Sequence, residues 1–350
     1  MTASTAARAN TATAWSPCVR NHRSPATHQG RTAAHDFLVP LSGLDLESPD
    51  ATPLGPNEHV VARLIGPKDA PACAVLGGIS ASRVVADANG EKGWWRSQVG
   101  PGRAMDTAIN QVLSFEWFAP EASSTSITPG DQARVLERAL DVAGIERLDR
   151  LVGASYGAMV GLQFACLAPE RLDHLTAISG AHRPHPLATA WRAIQRRIVT
   201  LASDGGDPRT GVELARALAM TTYRSPDEFA ERFDGPADDS GERLRFPVEE
   251  YLDARGRDFA ERFSAQRFQT LSESIDLQDA RPEEGTVPAV FAGVCQDLLV
   301  PPAQMEELAR RWAGPARLIL FDSVFGHDAF LKADDAIAAV LGDLRGACHD

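Results

Sequence analysis

At 350 residues the chain has room for one large domain with an insertion, or for two domains. A formal net charge of −12 argues against nucleic acid or an anionic membrane as partner, since both demand basic surface. No apolar run of about 18 residues is present, so no membrane-spanning helix is expected.

The first 35 residues are rich in Ala, Thr and Ser, carry four arginines and no acid, and lack an apolar h-region. They read as a disordered N-terminal tail, with a transit peptide as the alternative. From Asp36 polarity alternates, and Val60 to Ile65 reads as an early strand. "PACAVLGGIS" (71–80) is a compact apolar run ending in glycines, the pattern of a central strand followed by a loop, and "QVLSFEWFA" (111–119) reads as another strand. "DQARVLERALDVAGI" (131–145) has helical spacing, with Asp131 able to cap its start and Gly144 its end.

"LVGASYGAMVGLQFA" (151–165) places a serine between two glycines, after a short buried strand at Leu148 to Val152 and before a helix that ends near Ala168. The pattern is G-x-S-x-G, the nucleophile elbow, in which a strand turns sharply through the serine into a helix. "LDHLTAISG" (172–180) is the next strand. The strand–helix rhythm then breaks over residues 182–285, which hold Arg- and Glu-rich helical segments. It resumes with "VPAVFAGVCQD" (287–297), a helix over 302–312, "ARLILFDS" (316–323) and a final helical stretch from Asp328.

Alternating strands and helices imply a mostly parallel sheet covered on both faces. With a helical excursion late in the sheet, the layout is that of an α/β-hydrolase fold. The core would be residues 36–181 and 286–350, and the lid insertion 182–285. The five cysteines (Cys18, Cys73, Cys166, Cys295 and Cys348) form no C-x-x-C pair. Three of them lie in apolar strand or helix patterns, so reduced, buried thiols and a cytoplasmic setting are expected. Only three lysines, Lys68, Lys92 and Lys332, accompany 32 arginines, and none stands in a context that suggests a lysine nucleophile. Nothing in the sequence calls for a metal.

A serine hydroxyl needs a base to take its proton, and the base needs an orienting acid. In this fold the chain order is Ser, then Asp or Glu, then His. Asp297 follows one late strand, in "CQDLLVPP", and His327 follows the last, in "VFGHDAF". Asp322 also ends a late strand but stands only five residues before His327. His174 falls inside an expected strand, and His182 and His185 precede any acid in the required order. The predicted triad is therefore Ser155, Asp297 and His327. Its oxyanion hole would use the backbone N–H groups of Tyr156, next to the nucleophile, and of Ile79, in the "GGIS" loop.

The stretches "GWW" (93–95), "VGPGRAMDT" (99–107), "GASYGAM" (153–159), "AIQRR" (193–197), "TTYRS" (221–225), "FPVEEYL" (246–252), "QDLLVPPAQ" (296–304) and "GHDAFL" (326–331) occur in order. In them the chain resembles the homoserine O-acyltransferase family of α/β-hydrolase-fold enzymes, from about residue 55 to 340. It departs from the family pattern at Tyr156, Ala158, "GGIS" and the short loop "APEASSTSITPG". The departures bear on the acyl donor more than on the reaction.

The resemblance implies a ping-pong transfer from acyl-CoA to L-homoserine in methionine biosynthesis, with acyl-CoA as co-substrate and no bound cofactor. It also implies a homodimer formed through the lid. "GGIS" leans the donor toward succinyl-CoA over acetyl-CoA, and Arg83 is a candidate cation for the extra carboxylate. Read from the residues alone, Arg196 is a surface helix arginine and Asp328 an N-cap. The resemblance makes Arg196 the partner of the homoserine carboxylate and Asp328 that of its ammonium. Serine as acceptor, an esterase of the same fold, and a catalytically silent binding protein are the alternatives.

Overall fold

The most apolar runs of the sequence become the middle of one twisted sheet. The computed structural model describes residues 34–47, 54–120, 126–238 and 244–342. Most of the expected N-terminal tail, with Cys18 and Cys348, lies outside the described residues; Ala34 and His35 already belong to the first strand.

Eight strands pair in one sheet: β1 (Ala34–Pro40), β2 (His59–Ile65), β3 (Ala72–Leu76), β6 (Gln111–Phe115), β7 (Arg150–Ala154), β8 (Leu175–Ile178), β9 (Ala289–Val294) and β10 (Ala316–Phe321). Their order across the sheet is β1-β2-β6-β3-β7-β8-β9-β10. A two-stranded ribbon, β4 (Val99–Gly100) with β5 (Met105–Asp106), stands apart. β1 and β2 run antiparallel to their neighbours and the other main-sheet pairs are parallel. Every residue of β6, β8 and β9 is buried, as a parallel sheet covered on both faces requires.

One face packs on helices α1 (Pro129–Ala143) and α2 (Tyr156–Leu167). Thr128 and Asp131 form a capping box at the start of α1, and Gly144 ends it in the left-handed conformation. The other face packs on Trp95, Phe330 and α10 (Asp334–Gly342). Among the described residues, five helices leave the sheet between β8 and β9: α3 (Pro186–Asp204), α4 (Pro208–Tyr223), α5 (Pro226–Phe233), α6 (Pro247–Ala260) and α7 (Ala265–Asp276). After β9 come α8 (Pro302–Arg311), β10, and the short α9 (Ala329–Lys332).

Three sequence expectations shift. The strand expected over 111–119 ends at Phe115, because Trp117 turns out of the sheet and donates its indole N–H to the Gly78 carbonyl at 2.9 Å. Cys73 is buried, its thiol pushed up to about 12 chiefly by desolvation, and Cys166 is half-buried, but Cys295, at the end of β9, is exposed. Arg83, the expected cation for the acyl carboxylate, is engaged elsewhere. It bonds Asp36 at 2.9 Å and Glu116 at 2.9 Å and so anchors the loop that follows β3.

Asp36 stands directly opposite Arg63 across the β1–β2 pair and accepts from its guanidinium at 2.5 and 2.9 Å. The Arg63 side chain is only 3% exposed and also bonds Glu91 at 2.6 Å. The Arg63 hydrogen bond, with help from Arg83, outweighs the opposing burial and holds the Asp36 carboxyl down to about 2. A carboxyl depressed on folding stabilises fully above its unfolded value of 3.8 and loses that contribution as pH falls through about 2. Asp36→Asn should lower the unfolding free energy by about 2 kcal/mol at neutral pH, since it leaves part of a buried guanidinium unpaired. Urea midpoints should show the gap from the parent closing as pH falls below 3.8.

Candidate active site

Between β7 and α2 the backbone at Ser155 takes φ 56° and ψ −117°, a conformation that side chains rarely adopt. The turn is possible because Gly153 and Gly157, two residues to either side, have no side chain. A Cβ at Gly153 would sit 2.2 Å from the Gly157 carbonyl oxygen, and one at Gly157 would sit 2.3 Å from that of Leu76. The G-x-S-x-G spacing is thus a steric requirement of β3, β7 and α2 meeting at one point. Two hydrogen bonds hold it: Ser155 N–H to the Ile178 carbonyl and Gly157 N–H to the Gly77 carbonyl, each 2.8 Å.

Ser155 Oγ lies 2.8 Å from His327 Nε2, and His327 Nδ1 lies 2.7 Å from Asp297 Oδ2. His327 sits in the turn after β10 and Asp297 in the turn after β9, so the sheet's strand order brings together residues far apart in sequence. Asp297 is buried. Its other oxygen, Oδ1, accepts the backbone N–H groups of Leu299 at 2.8 Å and Val300 at 3.0 Å. Both carboxylate oxygens are therefore fixed, and the imidazole is aimed with Nε2 at the serine.

Desolvation pulls the pKa of the buried His327 down. The charge and hydrogen bond of Asp297, with Asp328 adding to them, outweigh it and leave the imidazole above its ordinary 6.5. The competing acid Asp322 is exposed and accepts from Gln296 at 2.9 Å. Of the remaining histidines, His182 packs against Arg311 and Glu307, His185 caps α3, and His174 stands just before β8.

Tyr156 opens α2, so its N–H has no intrahelical partner and remains available beside Ser155. Its side chain points away: the hydroxyl meets Ser274 Oγ at 2.6 Å and the ring packs edge-on against Trp117 at 4.8 Å. Ile79 lies in the loop after β3, held from below by the Trp117–Gly78 bond. Ile79, Tyr156, Ser155 and His327 all line one cavity of about 880 Å³, open mouth included.

That cavity is walled by α3, α4, α7 and the turns after β3, β8, β9 and β10. Asp328 lines it, and its Oδ2 accepts from Arg224 at 3.0 Å. Arg224 also pairs with Glu228, and all three residues are buried. Arg196 does not line the cavity. Its Nη1 donates to Ser272 and, at 2.7 Å, to Asp276, because that side of α3 faces α7.

The guanidiniums that reach the cavity are Arg183, Arg192 and Arg216. Arg183 pairs with Glu307 and Arg192 with Asp276. Arg216 lies over the rings of Tyr223 and Phe259, at 5.1 and 4.9 Å, and pairs with no carboxylate among the described residues. The Tyr223 ring is in turn 5.9 Å from the His327 ring. Sequence reasoning missed Arg216. Its available signal was its place two turns before Tyr223, on the same face of α4.

Residues 88–334 match the family described as alpha/beta hydrolase fold. The homoserine O-succinyltransferase of Xanthomonas campestris pv. campestris is 40% identical, over 93% of this chain and 96% of its own. The chain belongs to the homoserine O-acyltransferase family. A homoserine O-acetyltransferase of Thermus thermophilus is 32% identical over 72% of both chains. The solved structure of esterase E22 superimposes with a TM-score of 0.78 over 89% of this chain and 99% of that one, at 18% identity, which is a likeness of fold.

A histidine that acts as a base must be neutral when it takes the proton. A raised pKa puts the acid limb of the rate profile above 6.5, with activity lost as pH falls through it. Asp297→Asn keeps the shape but removes the charge that raises this pKa. Burial then dominates, and the acid limb should move down. The same change should cost about 10⁴ in kcat, the scale seen for the equivalent loss in a protease triad. Asp322→Asn should leave both limb and rate near the parent's, and kcat–pH profiles of the two variants decide between the acids.

Proposed function

We propose that the protein is a homoserine O-succinyltransferase working through an acyl-enzyme on Ser155. One observation carries the reading: the Ser155–His327–Asp297 chain opens on a cavity that holds fixed charge of both signs beside the imidazole. Asp328 is next to His327 in the chain, and Arg216 reaches Tyr223, whose ring neighbours that of His327. A zwitterionic amino acid fits this pair, its ammonium at Asp328 and its carboxylate at Arg216. A plain ester needs neither. Arg216 takes the role that the family resemblance had suggested for Arg196, because Arg196 is already engaged by Asp276 outside the cavity.

In the first half-reaction Ser155 Oγ attacks the thioester carbonyl of succinyl-CoA while its proton passes to His327 Nε2. The oxyanion is received by the N–H groups of Tyr156 and Ile79. Collapse breaks the carbon–sulfur bond, and the departing sulfur takes the proton from His327. In the second half-reaction the homoserine hydroxyl gives its proton to His327 and attacks the Ser155 ester. Collapse then expels Ser155 Oγ, which regains its proton. Asp297 stabilises the imidazolium in each half. Support for succinyl as the acyl group comes from the 40% identical relative, named a succinyltransferase, and from guanidiniums in the cavity wall.

Two substitutions test the reading. Ser155→Ala should abolish CoA release and leave the fold unchanged by circular dichroism. In Arg216→Ala the pre-steady-state burst of CoA should persist, because that half does not involve the acceptor. Its kcat/KM for homoserine should fall about 100-fold, the scale of losing charge-assisted hydrogen bonds in a desolvated site. Serine and water serve as rival acceptors. An unchanged homoserine kcat/KM in Arg216→Ala, or equal use of water in the parent, would return the protein to the esterases.

A further inference from the structure

Behind the cavity, one buried indole ties the loop after β3 to α2 and to the helical insertion. Trp117 is 2% exposed and stands just past the end of β6. Its Nε1–H donates to the Gly78 carbonyl at 2.9 Å, and the Ala81 N–H donates to the same oxygen at 2.9 Å. Both acceptor sites of that carbonyl are filled, so the Gly78–Ile79 peptide plane is fixed. The peptide is trans, and in a trans peptide the N–H points opposite to the carbonyl. Pinning the Gly78 oxygen to the indole therefore aims the Ile79 N–H away from it; Ile79 lines the cavity and Trp117 does not. That N–H has no acceptor among the described residues.

The same ring braces the first residue of α2. Trp117 packs edge-on against the Tyr156 ring, centroids 4.8 Å apart, and the Tyr156 hydroxyl meets Ser274 Oγ at 2.6 Å. Burial pushes the pKa of that hydroxyl up, so it is a neutral hydrogen-bonding strut. Ser274 is fully buried on α7, and Arg267 of the same helix donates to the Trp117 carbonyl at 3.2 Å. Arg267 and Ser274 are two turns apart, so a single face of α7 grips both Trp117 and Tyr156. Trp117, Arg267 and Ser274 do not line the cavity. They can reach the chemistry only through the backbone they brace.

We infer that Trp117, together with the Tyr156 hydroxyl, positions the two N–H donors of the oxyanion hole and sets them against helix α7 of the insertion. The inference rests on the proposed acyl transfer. The two donors belong to separate elements, the loop after β3 and the start of α2, and a hole needs them at one fixed spacing. Trp117 and α7 give them a common frame. An oxyanion forms in each half-reaction, so the frame matters equally for taking and for giving the acyl group. It matters little for ground-state binding.

The test is Trp117→Phe, which keeps a ring against Tyr156 and removes the donated N–H. Turnover should fall by between about tenfold, the scale of one neutral hydrogen bond, and about 10³-fold, that of an oxyanion donor lost outright. The CoA burst rate and the homoserine kcat should fall by similar factors, with the acyl-CoA KM near the parent's. A short alkylboronic acid gives the reading that a general loss of packing does not. Ser155 Oγ adds to its boron and places a tetrahedral oxygen in the hole, so its affinity should fall in step with kcat. The acid limb of the kcat–pH profile, which reports His327, should stay where it is; a shifted limb would mean that the triad itself had moved and would overturn the inference. An unchanged kcat, or a lower kcat with boronate affinity unmoved, overturns it as well, while Ser155-dependent CoA release keeps the acyl-enzyme reading intact. Loss of that dependence on Ser155 overturns both. If Trp117→Phe does not fold, Tyr156→Phe decides, since it loses only a hydroxyl: kcat and boronate affinity should each fall about tenfold, by the loss of one hydrogen bond. An unchanged kcat there would refute the frame.

Discussion

The strained backbone at Ser155 is the constraint on which the rest of the site depends. A non-glycine residue at φ 56° costs on the order of 1–3 kcal/mol and persists only where its surroundings over-determine it. Here the surroundings are the centre of the sheet. β7 is paired on both sides, to β3 through Leu76–Gly153 and to β8 through Ala154–Ile178. The two flanking glycines let α2 start almost in contact with the end of β3. The energy stored in the turn is supplied by packing that the fold needs anyway. In exchange the serine oxygen stands clear of its own backbone, beside the imidazole and the first free N–H of α2.

Around that point the charges follow one rule. Charges that serve the architecture are paired: Arg63 with Asp36, Arg224 with Glu228, Arg196 with Asp276. The groups left with capacity to spare line the cavity: Arg216, held by two aromatic faces, and the Nη1 edge of Arg192. Resting a guanidinium on rings positions it without neutralising it. A carboxylate partner would have fixed it equally well and removed its use toward an anion.

Much of this was legible in the sequence, and the illegible part has a physical reason. Short apolar runs and the elbow spacing locate β3, β6, β7, β8, β9 and β10. Once the strands are placed, Asp297 and His327 follow, because each stands one turn past a strand end and strand ends in a parallel sheet share one edge. Helix faces are harder. Arg192, Arg196 and Arg216 all sit in amphipathic, Arg-rich helices, and a single helix's periodicity cannot say which neighbour its charged side will meet. Arg196 is one turn from Arg192, yet it bonds Ser272 and Asp276 outside the cavity because α7 crosses there. Arg216 gains its two rings only when α6 brings Phe259 to α4. Arg83 looked like a pocket cation from its nearness to "GGIS" in sequence. Asp36, contributed by an antiparallel edge strand, draws it off as a loop anchor.

The last constraint is chemical. An acyl-enzyme on serine is a reactive ester, and water competes with the amino-acid hydroxyl for it at very high concentration. Apolar walls alone would slow both nucleophiles. In the proposed transfer, fixed charges at two ends of the acceptor act differently, because they favour a molecule that carries both an ammonium and a carboxylate. Binding then holds its hydroxyl near the imidazole and turns a bimolecular attack into a local one, an advantage water does not share. On that proposal the helices that wall the cavity and the charges they carry into it are one device: exclusion of bulk water strengthens each charge, and the charges admit the acceptor that exclusion would otherwise keep out.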